Sequence, residues 1–232
     1  MERQVKSKER VAKHGEVFTA AREVNAMLDM VKQETERIDS RFLEPACGDG
    51  NFLAEILRRK LAVVKKRYGR SSADYEKFSV LAMMSIYGVD IMEDNAKACR
   101  ARLFDIWNEA YTAGCKKDCT EACRKVVKFI LKRNILYGDA LTMMLNNTEP
   151  IIFSEWSFIT GNLVKRRDFR LDVLLKENKE KGMYEMQYGL FQSDNGAEAY
   201  QYWEEDPKTH EIIPKPIKDF PPVDYRRLCD VK

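Results

Sequence analysis

Phe42-Leu43-Glu44-Pro45-Ala46-Cys47-Gly48-Asp49-Gly50-Asn51-Phe52-Leu53 is the stretch that decides the reading of this chain. A short apolar run stops at a proline, passes through two glycines and resumes at once as an amphipathic segment. Arg41 to Pro45 reads as a buried strand, and Asn51 to Arg67 as a helix with Phe52, Leu53, Ile56, Leu57 and Leu61 facing inward. Glycines at 48 and 50 let the backbone turn sharply and approach a ligand closely. A helix that starts straight after such a turn aims its first amides at that ligand.

Outward from this stretch the pattern alternates. Upstream, residues 20–37 read as a helix with Val24, Met27, Leu28 and Val31 on one face, preceded by a charged arm over residues 1–14. Downstream, Tyr68 to Tyr75 is a polar break and Ser85 to Ile91 a strand. Helices are expected from Glu93 to Tyr111 and over residues 121–132, then strands from Asn134 to Gly138 and from Trp156 to Thr160. This alternation predicts an α/β fold: a parallel sheet with helices on both faces, whose strand C-termini share one ligand-binding edge. Residues 168–181 read as a helix, and the remainder to Lys232, with five of the seven prolines, as an irregular tail. The expected division is an arm (1–14), an α/β domain (15–165), and a helix with an extended tail (166–232).

Charge and composition narrow the function classes. Forty Lys and Arg stand against 37 Asp and Glu, so bulk charge does not mark a nucleic-acid binder. Lys165-Arg166-Arg167 is the run expected to meet DNA phosphate; Arg58-Arg59-Lys60 and Lys65-Lys66-Arg67 read as solvated helix faces. No apolar run approaches the roughly 18 residues of a membrane span, and the N-terminus is too polar for a secretory signal, so no membrane partner and a cytoplasmic location are expected. Disulfides are not expected among the six cysteines. Cys115, Cys119 and Cys123, four residues apart, would stack on one helix face and read as free thiols rather than a metal site. Neither His14 nor His210 sits in a ligand cluster, so no metal is implied.

The glycine stretch resembles motif I of the S-adenosylmethionine-dependent DNA adenine-N6 methyltransferases of restriction–modification systems, and four further segments fall in that family's order. The resemblance assigns Glu44, Ala46, Gly48 and Gly50 to the loop that cradles the methionine part of the cofactor. Gly15-Glu16-Val17-Phe18-Thr19 resembles motif X, with Thr19 lining the methionine pocket; the family's proline is replaced by Ala20. Gly88-Val89-Asp90-Ile91 resembles motif II, which gives Asp90 the ribose hydroxyls and Ile91 the adenine face. Gly138-Asp139-Ala140-Leu141 resembles motif III, where Asp139 accepts from the adenine amino group.

Phe153 to Asn162 resembles the strand leading into motif IV, which makes Asn162 the expected catalytic residue. There the family continues Pro-Pro-aromatic and this chain continues Leu163-Val164-Lys165, so the residue that stacks on a flipped base is missing. The family's catalytic domain normally has three more strands and a target-recognition region. The resemblance therefore implies a Rossmann-like methyltransferase sheet truncated after its fourth strand, with S-adenosylmethionine as cofactor and a partner subunit for specificity or catalysis. Two functions follow: a DNA adenine-N6 methyltransferase or subunit of a restriction–modification system, or a non-catalytic S-adenosylmethionine-binding structural or regulatory module.

Overall fold

A computed structural model describes residues 7–14, 16–145, 148–180, 202–207 and 209–231. The chain forms two compact units, one of residues 1–140 with 224–232 and one of residues 141–223. The expected boundary at 165 is therefore replaced by one after Ala140, and the last nine residues return to the first unit.

The first unit is a three-stranded parallel sheet clad by helices. Strand β1 (Phe42–Glu44) pairs with β2 (Ile86–Asp90), which pairs with β3 (Ile135–Tyr137), giving the order β3-β2-β1. Helix α1 (Lys8–His14) lies in the expected arm, and α2 (Ala21–Met30) and α3 (Lys32–Thr35) precede β1. Helices α4 (Asn51–Tyr68) and α5 (Ser72–Met84) connect β1 to β2; α6 (Glu93–Cys115) and α7 (Glu121–Asn134) connect β2 to β3. α4 packs on β1 and β2, while α6 and α7 pack on β2 and β3. Every residue of β2 is buried, as the central strand of a parallel sheet requires.

Several local expectations change. The helix expected over 20–37 breaks at Val31, and its buried positions are Val24, Leu28 and Thr35, while Met27 and Val31 are exposed. Helix α5 has no counterpart in the sequence reading. Tyr75, Val80, Ala82, Met83 and Met84 bury it on most sides, so it shows no amphipathic period. The three cysteines do not share a helix: α6 ends at Cys115, Lys116 takes φ 51°, and α7 starts beyond Thr120, whose hydroxyl accepts from the Cys123 amide. All six cysteines are free thiols. Burial pushes Cys115 up to about 12, which keeps it inert.

Two buried charged groups hold the unit together. Lys60, from a run read as a solvated face, is fully buried, and its ammonium donates to the carbonyls of Arg37 (3.1 Å), Ile38 (3.0 Å) and Ser40 (2.5 Å) and to Ser85 Oγ (2.8 Å). It ties the segment entering β1 to the residue before β2. Glu76 of α5 accepts from Tyr111 Oη (2.5 Å), Tyr225 Oη (2.8 Å) and Arg226 Nε (2.7 Å). The 3-10 turn Tyr225–Asp230 is thereby held against α5 and α6, and it also packs on α7.

The second unit is antiparallel. Strand β4 (Met144–Leu145) pairs with β5 (Glu149–Pro150). Strand β6 (Ile152–Thr160) pairs antiparallel with β7 (Leu163–Arg170). Helix α8 (Leu171–Glu180) follows; β8 (Trp203–Glu205) pairs with β9 (Ile212–Pro214), and β10 (Lys218–Asp219) adds to β7. Trp156–Thr160 is thus the end of a hairpin strand, not the fourth strand of the parallel sheet, which stops at three among the described residues. The helix expected from 168 begins at Leu171 because β7 extends to Arg170. Of the irregular tail, residues 181–201 lie outside the described residues.

Candidate functional site: the C-terminal edge of the parallel sheet

Parallel pairing puts the ends of β1, β2 and β3 on one edge, in register: Glu44 opposite Gly88, and Asp90 opposite Tyr137. Four segments meet there. The turn after β1 is pinned to β2 by the Cys47 amide, which donates to the Val89 carbonyl at 2.9 Å. The Gly138 amide does the same from β3, donating to the Asp90 carbonyl at 3.0 Å. Thr19 of the upstream segment is reached by α4: Asn51 Nδ2 donates to its carbonyl at 3.0 Å.

The glycine turn has a left-handed backbone at both glycines, with φ 55° at Gly48 and 92° at Gly50. Side-chain space is also occupied. A Cβ on Gly48 would lie 2.9 Å from the Phe18 ring, and one on Gly50 would lie 2.7 Å from Cys99 Sγ. Glycine is therefore demanded at both positions by the protein itself. Beneath the turn lie the buried thiols of Cys47 and Cys99; Cys47 is held above the ordinary thiol range by its contact with Cys99 and by burial.

Asp90 is the centre of the edge. It is 7% exposed. Its Oδ2 accepts from the Gly48 amide at 2.8 Å; its Oδ1 accepts from the Met92 amide at 2.8 Å and from Asn95 Nδ2 at 3.2 Å. A carboxylate offers about four acceptor positions. Three are used inside the protein, so Asp90 organises the loop and keeps acceptor capacity beyond it.

Other predicted residues surround it. Glu44 is half-buried at the end of β1, and burial raises its carboxyl above the usual range. Ala46 is exposed on the turn, and its amide donates to Glu44 Oε1 at 3.4 Å. Ile91 presents an apolar side chain that is 52% exposed, and Asp139 is half-buried one residue beyond Gly138. Thr19, Glu44, Ala46, Gly48, Gly50, Asp90, Ile91 and Asp139 all belong to the first unit. Gly15, quoted for motif X, lies outside the described residues.

Asn162 belongs to the second unit, in the two-residue turn joining β6 and β7 beside Gly161 at φ 53°. Thr160 pairs with Leu163 across it. This is hairpin chemistry, in which a glycine at positive φ lets the chain reverse. It is not a loop leaving the C-terminus of a parallel strand.

The residues of the expected phosphate-binding run are each ion-paired within the protein. Lys165 pairs with Asp219 at 2.8 Å and Arg167 with Glu155 at 2.5 Å. Arg166 is 3% exposed, paired with Asp168 at 2.5 Å, and its guanidinium lies 4.0 Å from the Phe220 ring centre. By contrast Lys65, Lys66 and Arg67 in the last turn of α4, and Arg70 just beyond it, are exposed and have no acid within 4 Å among the described residues. A groove of about 440 Å³ there is lined by Lys32, Arg59, Lys66 and Arg67 together with Asp29 and Glu36.

Sequence reasoning assigned no role to Arg10 or Asn95, nor to Glu16 and Phe18 beyond their place in the motif X segment. Arg10 Nη1 donates to Asp94 Oδ2 at 2.7 Å, its Nη2 donates to Glu16 Oε1 at 2.7 Å, and its Nε pairs with Glu16 Oε2 at 2.6 Å. Asn95 Nδ2 also donates to Glu16 Oε1, at 2.6 Å. Glu16 and Asn95 are 79 residues apart, a separation no local pattern reports. Among the described residues no group of three His, Cys, Asp or Glu side chains is placed to hold a metal, and no helix is long and apolar enough to cross a membrane. Comparison with protein-family models, with curated proteins and with solved structures finds no match for this chain.

Proposed function

We propose that the first unit is an S-adenosylmethionine-binding domain of the DNA adenine-N6 methyltransferase type, and that methyl transfer to adenine depends on a catalytic loop from another subunit. The observation that carries the cofactor reading is the acceptor-rich edge. Glu44 and Asp90 end two adjacent parallel strands, and Asp139 lies two residues beyond the third, beside a left-handed glycine turn. S-adenosylmethionine is rich in donors that suit carboxylates: an ammonium group, two ribose hydroxyls and an adenine amino group. A dinucleotide would bring a pyrophosphate against three carboxylates, and the nearby cations Arg10 and Arg102 are committed to Glu16, Asp94 and Asp49. Helix α4 starts with no side-chain cap and no acid in its first turn, which suits a ligand carboxylate. The exposed Ile91 side chain is apolar surface against which adenine would pack.

These residues fit the cofactor, which supplies an electrophilic methyl group when bound. The chain's own part is to orient it: Asp90 fixes the Gly48 amide and keeps acceptor capacity beyond it, while Glu44 and Asp139 meet donors on either side. The non-catalytic reading is favoured for the isolated chain by Asn162, which sits in a tight hairpin turn without the Pro-Pro-aromatic segment. DNA contact, where it occurs, falls to Lys65, Lys66, Arg67 and Arg70, which meet no acid among the described residues, rather than to residues 165–167.

Calorimetric titration with S-adenosylmethionine tests the proposal. Binding that drops at least tenfold in Asp90→Ala is expected, with no methyl transfer to adenine-containing DNA by the purified chain. A folded chain that does not bind the compound refutes the cofactor reading; turnover by the chain alone refutes the need for a partner.

A further inference from the structure

The arm residue Arg10 stands at the head of a polar chain that ends on the glycine turn. Its guanidinium contacts Glu16 through two nitrogens at 2.7 and 2.6 Å. Glu16 Oε1 accepts from Asn95 Nδ2 at 2.6 Å, and the same amide group reaches Asp90 Oδ1 at 3.2 Å. Asp90 in turn holds the Gly48 and Met92 amides. Two carboxylates, Glu16 and Asp90, thus converge on one neutral side-chain amide. Like charges so placed repel, and Arg10 is the cation that offsets them. It is anchored from outside by Asp94, to which both of its terminal nitrogens donate, at 2.7 and 3.1 Å.

We propose that Arg10 is a positioning residue for the ligand edge: by neutralising Glu16 it lets Asn95 bridge Glu16 and Asp90, and so fixes the Gly48 turn. Order in helix α1 and ligand binding at Asp90 are then two readouts of one equilibrium. Coupling of this kind is reciprocal: a ligand that needs the ordered turn also orders the arm. The inference rests on the cofactor reading only for the identity of the ligand.

The test uses the full chain with Arg10→Ala and Glu16→Gln, and Lys13→Ala as control, since Lys13 lies on the same helix and among the described residues pairs with Glu9 alone, at 3.5 Å. Amide exchange is measured without ligand. Faster exchange at the Gly48 and Met92 amides is expected in Arg10→Ala and not in Lys13→Ala, measured against the core amides of β2 so that any global destabilisation from leaving the largely buried Glu16 unpaired is separated from loosening of the turn. Glu16→Gln removes the repulsion along with the ion pair, so its exchange rates should lie between those of wild type and Arg10→Ala.

Titration with S-adenosylmethionine should then show about tenfold weaker binding in Arg10→Ala. In the wild type, the ligand should slow tryptic cleavage after Lys13. Unchanged exchange at Gly48 and Met92 in a folded Arg10→Ala chain overturns the inference. Absence of S-adenosylmethionine binding by the wild type defeats the cofactor reading instead, and the exchange measurement still decides the role of Arg10.

Discussion

Lys65-Lys66-Arg67 and Lys165-Arg166-Arg167 are near-identical on paper and opposite in the molecule. The first run ends helix α4, where the neighbours of each residue lie three and four positions away. Those positions hold Leu61, Ala62, Val63, Val64, Tyr68, Gly69, Arg70 and Ser71, with no acid among them. The cations stay exposed and gain only from the helix C-terminus, about 0.3–1 kcal/mol each. The second run lies in strand β7, where neighbours come from the facing strand and from two residues along. Register sets Glu155 opposite Arg167, and alternation puts Asp168 on the same face as Arg166. A charge run therefore predicts a polyanion surface only after its secondary structure has said where its partners come from.

The comparison breaks most sharply at Arg166. Its guanidinium donates to both Asp168 oxygens and lies over Phe220, while the Ser154 hydroxyl donates to Asp168 Oδ1 at 2.7 Å. Arg166→Ala leaves Asp168 as an uncompensated buried charge, which costs about 3–5 kcal/mol. Urea melts followed by near-ultraviolet signals should show early loss of structure in the second unit. A shift no larger than that of a surface substitution would mean that Arg166 is as free as Lys66. Replacing both partners with apolar residues of similar volume should recover much of the loss, because the attraction and the desolvation cost leave together.

Lys60 sharpens the contrast inside α4, five residues before the exposed run begins. Burial lowers its amine from the usual lysine range to about 7, against the opposing pull of Asp39 and Glu34. The folded-state value lies below the unfolded one, so between about pH 7 and pH 10 the unfolded chain binds more protons. Stability should therefore rise as pH increases through that window, and the contribution is at its lowest below pH 7. Lys60→Met removes this slope. It also leaves the carbonyls of Arg37, Ile38 and Ser40 without their donor, at about 1–3 kcal/mol for an unpaired buried group. Denaturant midpoints at pH 6.5, 8 and 9.5 check both statements; a parallel pH profile in wild type and variant would show that Lys60 titrates as an ordinary surface lysine.

How far the sequence speaks for the structure follows the same line. The parallel half of the fold was legible because β1, β2 and β3 are apolar runs ended by turn residues, with helices of clear period between them. The Gly48–Gly50 turn was legible because positive φ needs glycine and a helix follows at once. Helix α5 was not, since a helix buried on most sides has no stripe to read. Asn162 was misplaced because Ile152–Thr160 looks the same whether its neighbour is a parallel strand or, as here, the antiparallel strand that follows a Gly-Asn turn. At the C-terminal edge of the parallel sheet, Asp90 could be picked out as the acid that ends a buried strand. The Arg10–Glu16–Asn95 chain that supports it rests on contacts 79 and 84 residues apart in sequence, with no local signature.

The smallest effect on stability is expected where the sequence reading saw the least. Lys66→Ala and Arg67→Ala remove exposed side chains that meet no acid among the described residues, so each should change stability by no more than about 0.5 kcal/mol. Each phosphate contact made by a cation contributes about −0.9 to the slope of log affinity against log salt on duplex DNA. If DNA meets this chain at the end of α4, Lys66→Ala with Arg67→Ala should flatten that slope by nearly two. Lys165→Ala with Arg167→Ala should leave it unchanged, because those cations are already neutralised by Asp219 and Glu155. Anisotropy titrations of a labelled duplex at three salt concentrations distinguish the two runs. A slope that falls with the second pair and not the first would mean that the ion pairs of β7 open for phosphate, and the division between the two runs would fail.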